Sequence, residues 1–179
     1  MQTVTWRPKT NPEYDALFEQ LRLVQYQNTA HPLWNNYSAD HFYKECTALT
    51  IVFNNGAPEF CGSILKRDCW PAGVYRIVNR FWKINPLPGA LLEATASSGP
   101  FIRSQLEWVY EHTDCELAFI SRESNHWQRW AVKQLASFGL DFAYNRNRYL
   151  TCVNEDDTSC WQTIVYHGNE ELLKHWKHK

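Results

Sequence analysis

The stretch 95-TASSGPFIRSQLEWVYEHTDCELAFISRE-123 decides the reading of this chain. It places small polar residues and a glycine before an amphipathic run, and then a nearly continuous apolar segment. Apolar residues recur at helical spacing from about Phe101 to His112, which predicts a helix there. The run 115-CELAFISRE-123 predicts a strand buried on both faces, the kind found beside a crossover connection. The small residues ahead of the helix have two readings. Ser97 or Ser98 followed by Gly99 and Pro100 is an ordinary helix start. It is equally a cradle in which backbone N–H groups hold an anion.

Upstream, 11-NPEYDALFEQLRLVQYQN-28 predicts a first helix, and a short helical stretch follows from Ser38. The run 48-ALTIVFNNG-56 is β-branched and ends in Asn-Asn-Gly, which predicts a hairpin with the return strand 59-EFCGSILKRD-68. A third strand is read over 74-VYRIVNRFWKI-84, completing an antiparallel meander. Downstream, 125-NHWQRWAVKQLASFG-139 predicts a helix closed by Gly139 in a left-handed C′ position. Two strands, 141-DFAYNRNRYLTCV-153 and 160-CWQTIVYHG-168, flank an acidic turn, and 169-NEELLKHWKHK-179 reads as a terminal helix. No strand is read in the polar start, MQTVTWRPKTNPEYD.

At 179 residues the chain suits one domain, over 1–179. No run approaches the roughly 20 apolar residues that span a bilayer, and the start lacks the apolar region of a signal peptide, so the expected location is cytoplasmic, without a membrane partner. The six cysteines show no C-x2-C spacing, so no metal is expected, and they read as reduced and mostly buried. Cys152 and Cys160 could also face each other across a hairpin. The net charge of -1 gives no overall pull on nucleic acid. Three segments interleave basic and aromatic residues, however: 76-RIVNRFWK-83, 122-RESNHWQRW-130 and 144-YNRNRY-149. They form either a face for a phosphate-bearing partner or three solvated surfaces.

The order of these elements resembles the GNAT superfamily of N-acyltransferases over nearly the whole chain. The resemblance implies an α/β (α+β) fold, a mixed and mostly antiparallel central sheet flanked by helices. It also implies acetyl-CoA or another acyl-CoA as cofactor, a small-molecule acyl donor whose pyrophosphate sits on a helix start after the fourth strand. The counterpart is 96-ASSGPFIR-103, with Ser97, Ser98 and Gly99 in the loop and Arg103 available for a phosphate. The usual Q/R-x-x-G-x-G/A loop is represented by one glycine. Many members carry N-x2-A-x3-Y-x3-G on the next helix. Aligned on Gly139 this chain reads Gln128, Ala131, Leu135, Gly139, so the proton-donating tyrosine is replaced and Tyr144 or Tyr149 is left to supply that proton.

A narrower set of motifs resembles phage Mom-like proteins, GNAT-fold enzymes that modify adenine in DNA. The motifs are 79-NRFW-82, Ser97 and Ser98, then 121-SRE-123. This resemblance makes nucleic acid a second partner class and a phage-encoded protein in the host cytoplasm a second setting. In either case the resemblance sets Arg80 and Trp82 on one wall of a cleft, with Ser121, Arg122 and Glu123 on the other. Glu123 is the first choice for general base and Tyr144 for the acid, with Ser121 and Arg80 in the catalytic set. Trp82, Arg122 and His126 are read as substrate contacts, His126 also as a second base. Three classes stay open: an N-acyltransferase acting on an amine of a small molecule, nucleotide or protein; a DNA-modifying enzyme; and a binding or virion-associated module on the same fold.

Overall fold

Asn55 and Gly56 both take positive φ, 50° and 80°, the pairing that a two-residue type I′ turn demands. They join β2 (Cys46–Asn54) to β3 (Ala57–Leu65) in an antiparallel hairpin, with Asn54 opposite Ala57 and Ile51 opposite Cys61. The Asn-Gly signal is thus read correctly. These positions come from a computed structural model that describes residues 2–28, 43–68, 70–78, 90–122, 136, 139, 143–145 and 163–174. The chain divides into two compact units, Met1–Leu65 with Val78–Gln105, and Lys66–Ile77 with Leu106–Lys179.

In the first unit an additional strand precedes the hairpin. β1 (Gln2–Trp6) runs antiparallel to β2, from Gln2 opposite Phe53 to Trp6 opposite Leu49. The sequence reading began at the helix and did not include this strand. α1 (Pro12–Asn28) begins where the sequence places it. Asn11 Oδ1 accepts from Tyr14 N at 3.2 Å, and Pro12 occupies the first helical position, where its missing N–H costs nothing. One carboxylate fastens strand to helix: Asp15 accepts from Trp6 Nε1 at 2.9 Å and from Lys9 N at 3.0 Å. Phe18 and Leu21 are buried, as are Leu49, Ile51 and Val52, and each fully buried large side chain contributes about 1.5–3 kcal/mol. Of the stretch expected to turn helical from Ser38, Tyr43 to Glu45 are described and helical. Tyr43 donates to Glu19 Oε2 at 2.6 Å.

The long helix departs from its expected bounds. α2 runs Ala90–His112, so it begins 11 residues before Phe101. The segment 90-ALLEATA-96 consists mainly of strong helix formers, and it carries the helix through Ser97, Ser98, Gly99 and Pro100. Phe101, Ile102 and Gln105 belong to the first unit and are buried; Gln105 Nε2 lies 3.5 Å from Thr50 Oγ1, and Thr50 pairs with the Thr5 hydroxyl at 3.1 Å.

In the second unit β4 (Val74–Val78) and β5 (Leu117–Arg122) pair in parallel. β5 pairs antiparallel with β7 (Thr163–Gly168), which pairs antiparallel with β6 (Ala143–Asn145). Leu117 to Ile120 are all buried, as the unbroken apolar run predicts. α3 (Glu171–Lys174) follows β7. Gly139 has φ 73° and its N–H bonds Ala136 O at 3.0 Å, the expected left-handed position. Seven strands and the helices beside them thus make a mixed α/β fold with mostly antiparallel pairing among the described residues.

The thiols of Cys61 and Cys115 are free and buried, and that of Cys46 is free and partly buried. Burial pushes the Cys115 thiol up to about 12, so it stays protonated and unreactive at neutral pH. Cys69, Cys152 and Cys160 lie outside the described residues. No helix among the described residues is long and apolar enough to cross a membrane.

Candidate functional site

Two parallel strands that remain in register hydrogen bond along their whole length. β4 and β5 do so only from Val74 opposite Leu117, through Tyr75 opposite Ala118, to Arg76 opposite Phe119. Past that row β4 continues through Ile77, and β5 continues to Arg122 paired with β7 alone, Ile120 opposite Val165, Ser121 opposite Ile164 and Arg122 opposite Thr163. Among the described residues the β4–β5 ladder therefore ends while both strands run on. Ile77 of β4 and Ile120 of β5, both described, are not paired with each other. Ends of parallel strands are where ligands enter open α/β sheets.

Arg76 stands at the last paired row. Its neighbours along β4, Tyr75 and Ile77, are 7% and 1% exposed, while Arg76 is half-buried with Nε inside. Its row partner Phe119 packs edge-on against Trp70, ring centroids 5.2 Å apart. The Arg67 guanidinium lies 5.7 Å from the Trp70 ring centre.

The amino end of the same pair is closed by a polar cluster. Tyr75 donates to Asp114 Oδ1 at 2.6 Å, and Lys66 Nζ lies 5.5 Å from the Tyr75 ring centre while donating to Pro71 O. Burial, and then the Asp114 bond, push the Tyr75 hydroxyl up to about 12. The same bond holds the Asp114 carboxyl below its ordinary value. Gly73 O accepts from both Glu116 N at 2.8 Å and Leu117 N at 3.0 Å. At β7, Tyr110 donates to His167 O at 3.0 Å and stands 3.0 Å from His167 Nδ1. These groups fix the second unit at the amino end of the β4–β5 pair.

The predicted residues distribute as follows. Ser121 and Arg122 are the last two residues of β5, at its carboxyl end. Tyr144 pairs with Val165, which pairs with Ile120, so Tyr144 occupies the cross-strand row one short of Ser121. Ser97, Ser98 and Gly99 do not open α2 but lie at its eighth to tenth positions. Their N–H groups face the carbonyls of Glu93, Ala94 and Thr95 inside the helix. The expectation of unpartnered amides there is corrected: an α-helix supplies such amides only in its first turn. Arg103 is exposed on α2. Glu123, Arg80, Trp82 and His126 lie outside the described residues.

Arg76 is the residue that sequence reasoning passed over, since it was read only as part of a basic and aromatic segment. Its signal was there: a lone cation alternating with Val74 and Val78 in a run otherwise fit for burial.

The fold has counterparts among solved structures. A protein assigned as an acetyltransferase from Staphylococcus epidermidis superposes with TM-score 0.53 at 12% identity, over 94% of this chain and 98% of that one. A protein assigned as an acetyltransferase of the GNAT family from Bacteroides thetaiotaomicron gives 0.52 at 16% identity, over 98% and 94%. The aminoglycoside N-acetyltransferase AAC(6')-Ib11 gives 0.52 at 11% identity, over 95% and 98%. The chain thus has the GNAT fold along nearly its whole length. No family model and no curated protein matches it by sequence.

Proposed function

We propose that this GNAT-fold chain is an N-acyltransferase that takes its acyl group from an acyl-coenzyme A. The observation that supports the reading is the early end of the β4–β5 ladder beyond Arg76 and Phe119 among the described residues, at the strand ends where open α/β sheets take their ligands. The neighbours reported above support the same reading through their shared fold. When bound, the donor supplies a thioester carbon: the amine forms a C–N bond there, the C–S bond breaks, and the sulfur leaves as a thiolate.

The chain's own groups then handle protons. Glu123, directly after the last residue of β5, is the proposed base for the amine proton, and Tyr144 the proposed source for the leaving sulfur. Ser121 and Arg80 complete the proposed catalytic set, and Trp82, Arg122 and His126 are the proposed acceptor contacts.

Within the first unit, the start of α2 is the proposed alternative to Ser97–Gly99 as a seat for the coenzyme A pyrophosphate. The amides of Ala90, Leu91, Leu92 and Glu93 form the first turn, where N–H groups have no partner within the helix and the helix dipole favours a pyrophosphate. Arg103 lies roughly 20 Å along the axis from Ala90 and is left out of this seat. Ala90→Glu puts a carboxylate where it suits the helix dipole but repels the pyrophosphate, whereas Ser98→Glu places the same charge in the helix body. Calorimetry is expected to show coenzyme A binding to the wild type and to Ser98→Glu, and at least a tenfold loss in Ala90→Glu. Absence of binding to the wild type refutes the reading, and loss in Ser98→Glu alone restores the seat to Ser97–Gly99.

A further inference from the structure

We infer that Asn55 is a site of spontaneous deamidation: the Gly56 main-chain nitrogen displaces its side-chain amide, leaving aspartate or isoaspartate at the tip of the β2–β3 hairpin. The inference is independent of the transferase reading and concerns how the folded chain ages in water.

The reaction asks three things of a site, and the hairpin tip supplies each. The first is an idle nucleophile. Every residue but proline brings one main-chain N–H that seeks an acceptor. In this two-residue loop Asn54 and Ala57 face each other in the ladder, and among the described residues the Gly56 N–H meets no acceptor.

The second is an unengaged amide. Asn55 is exposed, and its side chain makes no hydrogen bond among the described residues. Asn11 and Asn169 show the contrast. Asn11 accepts from Tyr14 N at 3.2 Å, and the residue after it is Pro12, which has no N–H with which to attack. Asn169 donates from Nδ2 to Glu116 Oε2 at 3.1 Å and accepts from Glu171 N at 3.1 Å.

The third is room. Gly56 has no side chain, and nothing lies within 4 Å of the place its Cβ would occupy. The backbone must rotate for the attack, out of the φ of 50° that Asn55 holds. That rotation leaves a left-handed conformation, which is disfavoured for residues with a Cβ, and exposed loop tips open at little free-energy cost.

The chemistry balances with water alone. Hydroxide takes the Gly56 amide proton, and the nitrogen attacks Asn55 Cγ. A C–N bond closes a five-membered imide, the Cγ–Nδ2 bond breaks, and Nδ2 leaves as ammonia. Water then opens the ring at one of its two carbonyl carbons. Opening at Cγ gives aspartate in an unchanged chain. Opening at the main-chain carbon routes the chain through the side chain and gives isoaspartate.

Both products add a negative charge to a chain of net charge -1, but they differ in what they do to the hairpin. Aspartate suits a type I′ turn. Isoaspartate inserts one more main-chain atom into the loop that sets the register, and so disturbs the pairing of Asn54 with Ala57 and of Ile51 with Cys61.

The test follows the whole protein in mildly alkaline buffer by intact mass and by peptide mapping across 53-FNNGA-57. Each event raises the mass by about 1 Da, the exchange of an amide for an acid. Because the tip opens readily, the folded wild type is expected to convert within about tenfold of the rate of the chain unfolded in guanidinium chloride. Gly56→Ala crowds the attacking nitrogen and is expected to slow conversion about tenfold, although it also weakens the turn. Aged wild type is expected to unfold at lower urea than fresh protein, while Asn55→Asp unfolds where fresh protein does.

A folded chain that converts more than about tenfold slower than the unfolded one overturns the inference, as does conversion that maps to Asn54. An unchanged or faster rate in Gly56→Ala removes Gly56 as the nucleophile and also overturns it.

Discussion

Gly168, the last residue of β7, offers the sharpest test of the packing in the second unit. It has φ 114°, and a Cβ placed there would overlap the Glu116 carbonyl oxygen and stand 2.6 Å from the Tyr110 hydroxyl. The carbonyl cannot easily yield, because it accepts from Asn169 N at 2.8 Å. Gly168→Ala therefore incurs a backbone cost of about 1–3 kcal/mol for positive φ. Moving the Tyr110 ring also loses its bond to His167 O, worth about 0.5–1.5 kcal/mol, and relief of the overlap strains the Leu117–Gly168 pairing. The expected total is roughly 3–5 kcal/mol, a large share of the 5–15 kcal/mol typical of a folded domain, with Tm falling by about 10 °C. Gly56→Ala is the control. It also has positive φ, 80°, yet nothing lies within 4 Å of its would-be Cβ, so only about 1–2 kcal/mol is expected. Urea unfolding of both variants gives the comparison. If Gly168→Ala costs no more than Gly56→Ala, the close approach of β7 to Glu116 and Tyr110 is wrong.

Pro100 tests where α2 begins. Within a helix it removes one main-chain bond and crowds the preceding turn, at about 3 kcal/mol, so Pro100→Ala is expected to raise stability by about 1–3 kcal/mol in urea melts. At a true helix start the same change would be neutral or harmful, and that result would return the start to Pro100. The Tyr75–Asp114 bond predicts two pH windows. The Asp114 carboxyl titrates below its ordinary 3.8 when folded, so its contribution is present above about pH 4 and is lost as pH falls through the depressed value. The Tyr75 hydroxyl is raised from 10.0 to about 12, so its contribution is present below pH 10 and is lost as pH rises towards 12. Stability measured against pH in the wild type and Tyr75→Phe checks both, and identical profiles would refute the bond.

The legible parts of the fold are those where one local signal suffices. Asn55-Gly56 demands a tight turn, Leu117 to Ile120 demand burial on both sides, and Gly139 takes the left-handed φ that a glycine tolerates. β1 was missed because QTVTW has little apolar content of its own, and its pairing with β2 makes it a strand. The start of α2 was misplaced because Ser-Ser-Gly-Pro carries every mark of a cap, while the propensity of the seven residues before it extends the helix through them. The apolar run 115-CELAFISRE-123 put Ser121 and Arg122 on the central strand, and β5 contains both. Arg76 was not singled out, because its place at the last paired row depends on where two strands stop pairing, and no spacing in one strand encodes that.

β1 has a further consequence. Its five residues flank β2, whose Ile51 and Val52 are 0% exposed. A chain shortened by its first six residues would uncover a long apolar strand with a full row of idle N–H and C=O groups, a template on which a second molecule could add its own strand. The small Asp15 latch on Trp6 and Lys9 thus also guards the protein against self-association.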